Sequence, residues 1–150
     1  TLKEASSYIK GYLHHYSGID RYMKQVAEKA REDGFAQTLF HRRRYLPELT
    51  AANKTLQAFG ERVARNMPVQ GTAADIIKIA MVKVFESLSE KTKSAKLIMQ
   101  VHDELIVECD EAEKESVCAL LKEEMENACK MRVKLLAEVH TGKTWYDAKD

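Results

Sequence analysis

Apolar residues fall at helical spacing over most of the chain, and two short stretches break that rhythm. Ala5, Tyr8, Ile9, Tyr12, Leu13 and Tyr16 recur three and four residues apart. Thr1 and Glu4 stand ahead of them at capping-box spacing. This predicts a first helix ended by Gly18. A second carries Ile19, Tyr22, Met23, Val26, Ala27 and Ala30 and closes at Gly34. The plain reading of the tyrosines in both is core packing. Phe35 to Leu46 loses the helical period and reads as an extended or hairpin stretch stopped at Pro47. Leu56, Phe59, Val63 and Met67 give a third helix, which Pro68 must end or kink.

The most regular stripe follows. Ile76, Ile77, Ala80, Met81, Val84, Phe85 and Leu88 mark one helical face, with Thr72 and Asp75 placed to cap its start. Leu97-Ile98-Met99-Gln100-Val101 and Leu105-Ile106-Val107 are short, nearly all-apolar runs. They predict two buried antiparallel strands, with His102-Asp103-Glu104 at the bend. Glu111 to Lys130 is a last helix. Leu135 to Val139 reads as a further strand and Thr141-Gly142 as a turn. The expected class is α+β: mainly helical, with an antiparallel β-hairpin and one further strand.

At 150 residues the chain suffices for one compact domain burying roughly 70% of its unfolded surface. No apolar run approaches the roughly 20 residues that span a bilayer, and neither a signal peptide nor a retention tetrapeptide stands at the ends. Cys109, Cys118 and Cys129 are odd in number and lack C-x-x-C spacing. Reduced thiols and a cytoplasmic location are the expectation.

The net charge of +1 conceals an asymmetry. Residues 41–66 carry six Arg and Lys against two Glu, and residues 103–126 carry ten Asp and Glu against two Lys. These could be solvated faces of a stable domain, or a polyanion-binding face and a metal-binding region.

Three constellations could carry chemistry. Asp103 is a hard oxygen ligand on a rigid bend and suits Mg²⁺, which takes one or two carboxylates plus phosphates. The competing reading is a polar β-turn in which Asp103 bonds nearby amides. Arg62, Asn66 and Gln70 offer donors at four-residue spacing. Purine N3 and pyrimidine O2 in the DNA minor groove are acceptors in every base pair, so such donors can check duplex shape without reading sequence. Three solvated polar residues would look the same. Arg42, Arg43 and Arg44 suit bidentate phosphate contact, although short basic runs are common on ordinary surfaces.

Three segments taken in order resemble family A DNA polymerases of the bacterial type. They are Arg42-Arg43-x-Tyr45-Leu46-Pro47, then Glu61-Arg62-x-x-x-Asn66-x-Pro68-x-Gln70-Gly71-x-Ala73-Ala74-Asp75-Ile76-Ile77, then Gln100-Val101-His102-Asp103-Glu104-Leu105. The last resembles that family's motif C, and the likeness runs to Thr144-Trp145-Tyr146-Asp147. It implies that residues 1–47 end the fingers subdomain. Residues 48–150 would form the C-terminal half of the palm, with the catalytic hairpin at 97–109. It implies that Asp103 is one of the two aspartates that hold the catalytic Mg²⁺ pair, with Glu104 beside it in a supporting role and His102 near the primer terminus. Arg42, Arg43, Arg44, Arg62, Asn66, Gln70 and Gln100 would meet primer–template DNA. The other catalytic aspartate and the helix gripping the incoming deoxynucleoside triphosphate should lie upstream of Thr1. The chain alone is therefore expected not to polymerise. A non-catalytic duplex-binding module is the alternative, and a metal-dependent nuclease a poorer one, for want of a second acidic cluster.

Overall fold

The computed structural model describes residues 1–149. They form two compact units, the first ending at Thr72 and the second starting at Ala73. Five helices dominate: α1 (Leu2–His15), α2 (Ser17–Asp33), α3 (Lys54–Asn66), α4 (Thr72–Lys91) and α5 (Lys114–Glu126). Two antiparallel pairs accompany them: β1 (Phe35–Gln37) with β2 (Arg43–Tyr45), and β3 (Lys96–Val101) with β4 (Glu104–Glu108).

In the first unit, Thr1 and Glu4 make the expected capping box. The break after α1 is not at Gly18. It falls at Tyr16, whose backbone leaves the helical region, and Gly18 lies in the first turn of α2. A glycine near a helix start costs little, so its presence alone did not mark an end. Gly34 does end α2, in the left-handed conformation at φ 76°. The tyrosines of α1 do not pack into a core: no residue of that helix is buried, and Tyr8, Tyr12 and Tyr16 are exposed. Helical spacing reveals an apolar face but not whether anything lies against it.

The core of this unit is Ala30, Ala36, Leu46, Leu49, Ala64 and Met67. Three alanines let backbones approach closely. Gly60 extends that approach, since a Cβ there would sit 3.0 Å from Glu48 Cβ and 3.1 Å from the Leu49 amide nitrogen. Pro47 opens a 3₁₀ turn, Pro47–Thr50. Arg31 binds Glu61 at 2.6 Å, tying α2 to α3.

Pro68 neither stops the helical path nor leaves it α-helical. Residues Met67–Gly71 form a π-helical turn that runs into α4. The wider turn accommodates a residue that has no amide proton. Because α4 continues from this turn, Thr72 is not the N-cap that was expected. Its Oγ1 instead donates to the Pro68 carbonyl.

In the second unit, Ala80, Val84 and Leu88 of α4 pack with Leu105 of β4, Val117 and Leu120 of α5, and Ala128. Phe85 departs from the expected stripe and is exposed. The β3–β4 register pairs Leu97 with Val107 and Val101 with Glu104, with an irregularity between Leu97 and Met99. That bulge offsets the side-chain alternation. The hairpin is not buried on both faces as expected: Leu97, Leu105 and Val107 join the core, while Ile98 and Met99 are 54% and 40% exposed. With only two strands, one face is covered by helices and the other has no covering layer among the described residues.

Leu135 to Val139 is not a strand. Its residues alternate between half-buried and exposed, the period of a strand, but no ladder forms. The Ala137 amide donates to Glu126 Oε1 at 3.1 Å instead. A strand exists only through a partner's hydrogen bonds, and alternation does not supply one. The expected turn at Thr141-Gly142 lies slightly later. Thr144 and Asp147 close it, with the Thr144 hydroxyl donating to Asp147 Oδ2 at 2.7 Å. Gly142 abuts that turn, since a Cβ there would lie 2.6 Å from the Ala148 amide nitrogen.

Candidate polymerase site residues

The β3–β4 hairpin presents the acidic bend. Val101 pairs with Glu104, leaving His102 and Asp103 as a two-residue loop. His102 takes φ 52°, as the tight hairpin turns require of a central residue. Histidine is among the side chains enriched in that region. The Gln100 side chain braces the turn: its Nε2 donates to the His102 carbonyl at 2.6 Å. His102, Asp103 and Glu104 are all exposed.

Among the described residues, no group of three or more His, Cys, Asp or Glu side chains is placed to hold a metal ion. Asp103 and Glu104 nevertheless offer two adjacent carboxylates to solvent. That donor set fits a cation held by one or two carboxylates and completed by phosphates and water.

The first unit carries the basic and amide donors. Arg62, Asn66 and Gln70 are all exposed, on α3 and the π turn that follows it. The Arg62 guanidinium lies 5.9 Å from the centre of the Phe59 ring. The three neighbouring arginines differ in their surroundings. Arg42 donates from Nη2 to the Gly71 carbonyl at 3.0 Å, Arg43 stacks 4.4 Å over the Phe35 ring, and Arg44 is exposed. At least one donor of the basic run therefore serves the fold. Two further residues belong here that pattern reading did not single out as positioning groups. Thr38 and Thr72 are both buried: Thr72 fastens the β1–β2 loop by accepting the Leu39 amide, and Thr38 ties that loop to itself by accepting the Phe40 and Arg42 amides. The available signal for Thr72 was a threonine four residues after a proline within a helical run, where a hydroxyl can bond the carbonyl one turn back.

A separate polar cluster shapes the entry to β3. The Glu113 carboxylate accepts from the amides of Lys93 and Ser94 and from Ser94 Oγ. These bonds, the Ser94 hydroxyl first, hold its pKa below the ordinary glutamate value. The Cys109 thiol is pushed up, chiefly by burial and then by nearby Cys118 and acidic neighbours.

Among the described residues no helix is long and apolar enough to cross a membrane. The chain is 47% identical over 147 residues to DNA polymerase I of Bacillus caldotenax, covering 98% of this chain and 17% of that protein. It is 46% identical over 149 residues to DNA polymerase I of Geobacillus stearothermophilus, with 99% and 17% covered. Among solved structures, the POL domain of Pol1 from M. smegmatis, in complex with DNA primer-template and dNTP, superposes with a TM-score of 0.95 at 37% identity. That match covers 100% of this chain and 26% of that one. The chain thus spans about a sixth of the length of these curated relatives. Residues 1–147 match the sequence pattern of DNA polymerase family A, and the chain belongs to that family.

Proposed function

We propose that this chain is the C-terminal part of a DNA-directed DNA polymerase, which adds deoxynucleotides to a primer 3′-hydroxyl under the direction of a template. The observation that carries this reading is the Asp103-Glu104 pair on a rigid, family A hairpin bend. In this reading residues 1–47 end the fingers and residues 48–150 form the C-terminal half of the palm.

Asp103 supplies one carboxylate of a two-Mg²⁺ site, and Glu104 supports it. When bound, such a metal pair stabilises the attacking and leaving oxygens of an in-line displacement at phosphorus. His102, at the turn, lies near the primer terminus. Arg62, Asn66 and Gln70 donate into the minor groove near the primer end. Arg43 and Arg44 meet backbone phosphate, and Arg42 does so while also bracing Gly71. Gln100 retains an amide hydrogen for the duplex after serving His102. The complex of the M. smegmatis relative with DNA primer-template and dNTP supports these partners.

The residues present supply one side of a metal pair. Two-metal chemistry needs ligands on both sides, so the isolated chain does not polymerise. Primer extension in Mg²⁺ by the purified chain tests this. No incorporation is expected. Template-directed incorporation that vanishes on Asp103→Ala would overturn the division of ligands between this chain and an upstream part.

A further inference from the structure

The hydroxyl of Thr72 sits where two distant segments meet. Oγ1 accepts the Leu39 amide at 2.9 Å and donates to the Pro68 carbonyl at 2.5 Å. In an α-helix the Thr72 amide would donate to that same carbonyl. Here, at the end of the π turn, the Thr72 amide donates three residues back, to the Val69 carbonyl. The side chain thus takes a bond that the backbone has given up.

The turn is held from a second direction as well. Arg42 Nη2 donates to the Gly71 carbonyl at 3.0 Å. A Cβ on Gly71 would lie 2.8 Å from Thr38 Cγ2, so the β1–β2 loop lies flush on the turn. Gln70 stands exposed between these fastened points. A π turn is costlier than an α turn and persists where its surroundings specify it.

We propose that Thr72 is a positioning residue for duplex recognition: its hydroxyl locks the π turn in the form that presents Gln70 to primer–template DNA. The inference rests on the reading of Gln70 as a duplex contact. Thr72 is 7% exposed and does not itself reach solvent-borne DNA. It acts through the backbone that carries Gln70.

The test measures affinity of the chain for a primer–template duplex by fluorescence anisotropy at low salt. Amide hydrogen exchange at Leu39 is read in parallel. Thr72→Val removes the hydroxyl at constant shape. It is expected to expose the Leu39 amide to exchange and to weaken binding by about 2- to 10-fold, the worth of one hydrogen bond. Thr72→Ser is expected to restore both. Gln70→Ala should weaken binding similarly, and adding Thr72→Val to it should cost nothing further. If Gln70→Ala weakens binding but Thr72→Val does not, positioning by Thr72 is wrong. Equal losses for Thr72→Ser and Thr72→Val, or additive losses in the double variant, would also overturn it as mere destabilisation. If Gln70→Ala leaves binding unchanged, the duplex role of Gln70 falls first.

Discussion

The Gln100 side-chain amide donates to the His102 carbonyl at 2.6 Å, across the turn that carries Asp103. The bond matters because His102 is held at φ 52°. That conformation costs a non-glycine residue on the order of 1–3 kcal/mol and persists only where its surroundings hold it. Gln100→Ala leaves the carbonyl to water and should lower stability by about 0.5–1.5 kcal/mol. The larger effect is on order. Amide ¹⁵N relaxation at His102 and Asp103 should show increased mobility, while α5 stays as rigid as before. Unchanged relaxation at both turn residues would mean that the strands alone hold the bend.

Glu113 gives the second unit an acid-sensitive fastening. Its pKa is lowered by hydrogen bonds from Ser94 Oγ and from the amides of Lys93 and Ser94. A depressed folded-state pKa adds stability above the unfolded value, and that stability is lost as pH falls through the folded value. Urea unfolding midpoints should therefore hold steady near neutrality and drop below about pH 4.3, the ordinary glutamate value. Glu113→Gln should be less stable at neutral pH and show a smaller drop on acidification. Parallel acid profiles for the two proteins would assign the drop to other carboxylates.

Arg62 is exposed beside Phe59 at the end of the chain's basic stretch. As a duplex donor it contributes an electrostatic term that carries no sequence information. Arg62→Ala should weaken binding to unrelated duplexes by a similar factor. It should also flatten the dependence of log affinity on log salt by about one unit of slope. Binding titrations of two duplexes across a salt series measure both. A loss confined to one sequence would point to base readout instead.

Much of this arrangement was legible in the chain. The Thr1–Glu4 capping box, Gly34, the hairpin from Phe35 to Tyr45 and the buried stripe of α4 each follow from local geometry that a few residues dictate. So does the bend at His102-Asp103, because two apolar runs separated by a short polar interval leave little else to form. What was not legible depends on neighbours. Leu135 to Val139 has strand alternation without a pairing edge. Tyr8 and Ile98 have core chemistry on faces that nothing among the described residues covers. Pro68 announced an interruption, but whether the helix stops, kinks or widens is decided by Thr72, Arg42 and the loop they fasten. For the proposed site, residue identity is what singles out Asp103 and Gln70, whereas the groups that hold their turns in place emerge only from the bonds.

In the proposed function Asp103 is a metal-holding carboxylate of template-directed synthesis. That role is tested most directly by grafting this chain into DNA polymerase I of Bacillus caldotenax in place of its matching segment. Mg²⁺-dependent primer extension is then measured with and without Asp103→Ala. The prediction is extension by the graft and extension at background for Asp103→Ala, with duplex binding and thermal stability retained in both. Undiminished extension by the Asp103→Ala graft would contradict the account.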